Sequence, residues 1–111
     1  MRNYIKTTAG FLLSATMATV SFGATVNVGE LQGFTGPLES MIGPMSGGAN
    51  LAVTETNASG RYLYGTIVVV QGDSVCIDPA VATAEAERLI NDENVMAIMG
   101  PNCSGNTGAV I

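Results

Sequence analysis

The stretch that most limits the possible folds is Val95–Thr107, Val-Met-Ala-Ile-Met-Gly-Pro-Asn-Cys-Ser-Gly-Asn-Thr. Its first five residues, Val95 to Met99, are apolar without a break, and Gly100 and Pro101 stop the run. A short unbroken apolar run between turn signals predicts a strand buried on both faces, as in parallel sheets. Small polar residues follow from Asn102 to Thr107. A strand that feeds a polar, Gly-containing turn and then a helix is where open α/β sheets hold their ligands.

The chain upstream reads as preparation for that turn. Val26 and Val28 alternate with polar neighbours before Leu31, which predicts a first strand over Thr25–Leu31. Gly33-Phe34-Thr35-Gly36-Pro37 is a turn, and Pro37 suits a helix start. Leu38, Met41, Ile42, Met45, Ala49, Ala52 and Val53 recur at helical spacing up to about Asn57. Gly43, Gly47 and Gly48 weaken this helix by roughly 1 kcal/mol each, and Pro44 by more. Its regular part is therefore expected to begin near Ser46. Gly60 suits a left-handed stop.

Thr66–Val70 is β-branched throughout and predicts a second buried strand, followed by a loop over Gln71–Ile77. Asp78-Pro79 is a strong helix start: the carboxylate caps free N–H groups, and Pro fits the first turn. In the helix after it, Val81, Ala84, Leu89 and Ile90 supply apolar contacts, and Glu85, Glu87 and Arg88 mark a solvated face. The order β-α-β-α-β, ending in the start of another helix, predicts an α/β fold. Its parallel sheet has right-handed crossovers and helices on both faces. Three loops meet at the ligand edge: Gln32–Pro37, Gln71–Ile77 and Gly100–Thr107.

Composition narrows the chemistry. There is no His, and nine acids face four bases. That balance argues against a nucleic-acid partner, which needs a basic footprint. With no His, no nucleophile–base pair and no phosphate loop, nothing calls for a catalytic residue or a cofactor. Two Cys without His make a zinc site improbable. Arg2 and Lys6 precede an uncharged, largely apolar Thr7–Val20, and Ser21-Phe22-Gly23 offers small residues for cleavage before Ala24. Residues 1–23 thus read as a secretory signal peptide, too short and too rich in Thr to span a bilayer. Cleavage there leaves Arg61 and Arg88 against nine acids, a net charge of −7. In an exported chain the pair Cys76 and Cys103 suggests a disulfide, the alternative being two free buried thiols. Closing a loop of this size stabilises by roughly 3–4 kcal/mol in the chain-entropy account.

Taken in order, several segments resemble one family. They are Thr35-Gly36-Pro37 after the first strand, Gly48-Ala49-Asn50-Leu51-Ala52-Val53 on the first helix, and Asn57-Ala58-Ser59-Gly60 behind it. Gly72-Asp73, Asp78-Pro79 and Val95–Thr107 continue the pattern. Together they make Val26–Ile111 similar to the N-terminal part of periplasmic type I solute-binding proteins. The resemblance is to the leucine/isoleucine/valine-binding group of ABC transporters. It implies a partial first lobe of a two-lobed fold over residues 24–111, non-enzymatic and located in the periplasm. It implies a small amino acid or related solute as ligand and an inner-membrane ABC permease as partner. It also implies that Cys76 and Cys103 form the lobe's disulfide and that Ser104 binds the ligand's carboxylate. Free N–H groups and the helix dipole at a helix start suit a carboxylate. Gly105 would let the backbone approach closely. Thr107 is the weaker ligand candidate, with a capping role as its alternative. Met41 falls at an apolar pocket wall, with core packing as its alternative. The competing classes are a secreted disulfide-containing α/β module without a transport role and, less favoured, a doubly wound enzyme.

Overall fold

The computed structural model describes residues 23–111. The processing signal read over residues 1–23 lies, except for Gly23, outside the described residues. Three parallel strands, β1 (Ala24–Gln32), β2 (Gly65–Asp73) and β3 (Ala97–Met99), stand in the order β2-β1-β3. Three helices alternate with them: α1 (Glu39–Ser59), α2 (Pro79–Asn91) and α3 (Ser104–Val110). The β1–β2 and β2–β3 connections step across the sheet in opposite directions. Right-handed crossovers therefore put α1 on one face and α2 on the other. This is the expected α/β arrangement of a partial lobe.

The core lies under α2. Leu31, Ala86 and Leu89 are buried together, with Val70, Val95, Ile98 and Val110 packed around them. Asp78 caps α2 as its sequence predicts, accepting from the Ala80 N–H at 2.9 Å. The inward stripe is Ala82, Ala86 and Leu89, while Ile90 is exposed. That differs from the expected set of Val81, Ala84, Leu89 and Ile90. The small alanines let the helix approach, and Leu89 fills, with Leu31, the room left on the sheet face by Gly29 and Gly72.

On the opposite face α1 runs unbroken from Glu39, through Gly43, Pro44, Gly47 and Gly48, rather than from Ser46. Pro44 lies in the second turn and forfeits only the bond to the Ser40 carbonyl, close to an end whose N–H groups are unpaired anyway. Tertiary bonds repay the weak propensity. Ser46 donates to the Glu30 carboxylate at 3.0 Å, and Asn57 both donates to and accepts from the Ile67 backbone. Asn57 thereby covers part of the outer edge of β2. Gly60 ends α1 in the left-handed region, φ 65°.

Two strand expectations need correction. β2 continues to Asp73 because its register with β1 runs to the pair Gln32–Asp73, and among the described residues it is an edge strand with Val68 exposed rather than a buried one. Val95–Met99 is not buried on both faces: β3 holds only Ala97–Met99, and Met96 and Met99 are exposed. Among the described residues β3 pairs only with β1 and is an edge, so an apolar run there keeps one flank open.

Candidate functional site

The strand order places a reversal between β1 and β3. The chain leaves β1 for α1 on one face and leaves β3 for α3 on the other, where Val110 joins the core and α3 lies against α2. A crevice opens at the carboxyl ends of two strands whose following helices diverge, and open α/β sheets bind ligands there. The loop 33–38, the loop 74–78 and the turn 100–103 form its rim.

Backbone constraints explain the sequences of these loops. Gly36 has φ 95°, and a β-carbon there would lie 2.7 Å from the Val75 carbonyl. Gly100 has φ 113°, and a β-carbon there would collide with the Leu31 carbonyl. Only Gly accommodates both the positive φ and the close backbone approach.

Side chains then tie the three loops together. The Gly33 N–H donates to Asn102 Oδ1 at 3.1 Å. The Thr35 hydroxyl donates to Asp73 Oδ2 at 2.6 Å, and the Thr35 and Val75 N–H groups donate to Asp73 Oδ1. Burial pushes the Asp73 carboxyl up, but the bonds from Thr35, Val75 and Phe34 together outweigh it and hold the group below its ordinary value of 3.8. Cys76 and Cys103 are joined by a disulfide with Cα atoms 5.5 Å apart. Asn106, 1% exposed, donates to the Ser74 carbonyl at 2.7 Å.

The residues singled out from the sequence occupy different positions in this frame. Ser104 is the first residue of α3, and both it and Gly105 are exposed. No side chain caps that helix start, so its first N–H groups stay available. Apart from its chain neighbours and the backbone of α3 itself, no described atom lies within 4 Å of a β-carbon at Gly105, so that side of the turn is open. Thr107 is half-buried, and its hydroxyl donates to the carbonyls of Pro101 and Cys103, which commits its proton to the turn. Met41 stands on the first turn of α1, 57% exposed. Among the described residues no cluster of His, Cys, Asp or Glu could hold a metal ion. No described helix is long and apolar enough to cross a membrane.

Sequence reasoning missed Asn102, Asn106 and the Thr35–Asp73 pair. Polar residues in turns are the signal they leave, but the partners lie 69, 32 and 38 residues away, beyond any local pattern.

Residues 25–111 match the family model described as periplasmic binding protein. A Leu/Ile/Val-binding protein homolog 7 from Brucella abortus is 37% identical over 103 residues, covering 88% of this chain and 25% of its own length. Among solved structures, the branched-chain amino acid transporter substrate binding protein LivJ from Streptococcus pneumoniae, in complex with isoleucine, superposes with a TM-score of 0.71. It is 32% identical, covering 79% of this chain and 25% of that one. A solute binding protein of an ABC transporter from R. palustris, in complex with 4-hydroxybenzoate, gives 0.69 at 29% identity, covering 78% and 23%. The chain spans about a quarter of the length of the curated relatives it matches.

Proposed function

The chain belongs to the periplasmic binding protein family, a non-enzymatic one, and from that premise we propose that residues 24–111 are the N-terminal segment of a solute receptor's first lobe. The receptor captures a branched-chain amino acid or a related carboxylate for an inner-membrane ABC permease. Residues 1–23 direct its export to the periplasm. The observation that carries this reading is the uncapped start of α3, with Ser104 and Gly105 exposed just after β3, where the strand order reverses. Isoleucine and 4-hydroxybenzoate, bound by two similar proteins, share a carboxylate. Free N–H groups, the positive end of the helix dipole and a serine hydroxyl are what such a group needs.

In this reading Ser104 donates its hydroxyl to the carboxylate, and Gly105 admits the ligand to the backbone. Met41 meets the ligand's apolar side chain from the start of α1. Thr107 serves from behind, holding the turn by its bonds to Pro101 and Cys103. Closure of a second lobe over this edge completes the site.

The test is calorimetric titration of L-isoleucine and of 4-hydroxybenzoate into a two-lobed protein that carries this segment. Ser104→Ala should weaken binding by about 1–3 kcal/mol, the range for a hydrogen bond to a charged group. Unchanged affinity would reduce Ser104 to a turn residue.

A further inference from the structure

We propose that the Cys76–Cys103 disulfide is a redox-operated latch that couples the shape of the ligand edge to thiol oxidation state. Its reduction loosens the three rim loops together while the sheet stays folded. The consequence for affinity rests on reading that edge as the solute site; the loosening itself does not.

Residues 73–76 are where the three loops meet. Asp73 holds the first loop through Thr35, and the Val75 carbonyl leans on Gly36. Ser74 receives the amide of Asn106 from α3, and Cys76 is bonded to the turn that precedes Ser104. Any change in the path of these four residues therefore reaches all of the rim.

Their backbone is held in an unfavourable shape. Val75 and Cys76 both have positive φ, 48° and 69°, and neither is Gly. A β-branched residue in the left-handed region is an outlier that persists only where its surroundings over-determine it. On one side the segment is anchored by the Ser74 N–H, which donates to the Gln32 carbonyl at 2.7 Å. On the other side the covalent anchor is the disulfide. Without that bond, hydrogen bonds alone oppose the return of Val75 and Cys76 to ordinary backbone angles.

The latch is also reachable and separable. Both cysteines are half-buried at the rim rather than sealed in the core. The core of Leu31, Ala86 and Leu89, and the nine-residue pairing of β1 with β2, do not pass through the disulfide. A thiolate of a dithiol reductant attacks one sulfur, breaks the S–S bond and forms a mixed disulfide. The reductant's second thiolate then displaces the protein sulfur and closes the reductant's own disulfide. Two electrons enter the protein, and the two protons given up by the dithiol end on the Cys76 and Cys103 thiols.

Amide hydrogen exchange on the full chain, oxidised and then reduced with dithiothreitol, tests the latch. The Gly33, Val75 and Cys76 amides should exchange about tenfold faster or more after reduction, as expected for an easier local opening, while the β1 amides stay within about twofold. The Cys76→Ser, Cys103→Ser double variant should match the reduced protein, and reoxidation should restore the slow rates. Val75→Asn tolerates the left-handed angle better and should shrink the acceleration. Loop and strand amides speeding up together would make the disulfide a general staple and overturn the latch. So would loop amides that do not respond. L-isoleucine titrated into the oxidised and reduced forms of a two-lobed protein that carries this segment should bind the oxidised one more tightly. Binding to neither form would count against the solute reading and leave the latch to the exchange data.

Discussion

Under α2 the sheet presents Gly29, Leu31, Gly72 and Ile98 to a helix whose Ala82, Ala86 and Leu89 are buried. Under α1 it presents Val28, Glu30, Gln71 and Met99 to a helix with Ile42 and Ser46 as its buried residues. The first face is closed. A β-carbon at Gly72 would lie 3.0 Å from Leu89 and 3.1 Å from Leu31, so the missing side chain is the room those leucines use. The second face keeps a cavity of about 170 Å³ lined by Val28, Glu30, Ala49, Ala52, Val53, Val69 and Met99. Its contacts are partly polar: one oxygen of the buried Glu30 carboxylate accepts from Ser46 and Gln71, and the other has no partner among the described residues. The glycines of α1 are not used for close approach, since apart from their chain neighbours and the backbone of α1 itself nothing described lies within 4 Å of a β-carbon at Gly43, Gly47 or Gly48. Small residues tighten an interface only where a large neighbour fills the room they leave.

The contrast can be broken or sharpened by measurement. Leu89→Ala should cost the most, about 3 kcal/mol of unfolding free energy in a denaturant titration, because a fully buried leucine is lost from a close-packed site. A loss near that of an exposed residue would show that the α2 face is not the core. Gly29→Val should cost about 2 kcal/mol by overpacking, since even its β-carbon would meet Ile98 at 3.1 Å and Leu89 at 3.2 Å. On the loose face the sign should reverse. Ala49→Leu places new carbons in the cavity and should stabilise by about 1 kcal/mol, read as a higher denaturant midpoint. A lower midpoint would mean that the space under α1 is not free.

The smallest effect concerns the rim, and its sign follows from linkage. Because the folded Asp73 carboxyl sits below its ordinary value of 3.8, its contribution is present above that value and is lost as pH falls through the folded one. Unfolding free energy measured from pH 6 downward should lose this increment at the acid end. Asp73→Asn should remove that part of the slope. An unchanged acid slope would separate Asp73 from the stability of the rim.

Much of the fold was legible because its signals are local. Asp78-Pro79 names a helix start that Asp78 then caps, and Gly60 ends α1 as its lack of a β-carbon allows. The alternation of elements implied a parallel sheet, and three parallel strands with helices on both faces are present. The failures are of another kind. Met41 and Met45 match the helical period of α1 yet are exposed, while Ser46, which no apolar pattern selects, is buried on Glu30. Val95–Met99 has the pattern of a strand covered on both faces, but burial depends on which neighbours arrive, and β3 lies at an edge.

The polar turn after Met99 shows both halves of this division. Local residues alone predicted that a strand ends at Gly100 and that a run of small polar residues leads into a helix, although the helix starts at Ser104, inside the expected turn. Each of these rests on steric and hydrogen-bonding preferences within a few residues. Tertiary packing was needed to bring Asn102 to Gly33 and Asn106 to Ser74, and to hold Val75 and Cys76, beside the expected disulfide, at left-handed angles. Those pairings depend on the order of strands in the sheet, and strand order is set by the packing of whole elements, which no short stretch of residues encodes.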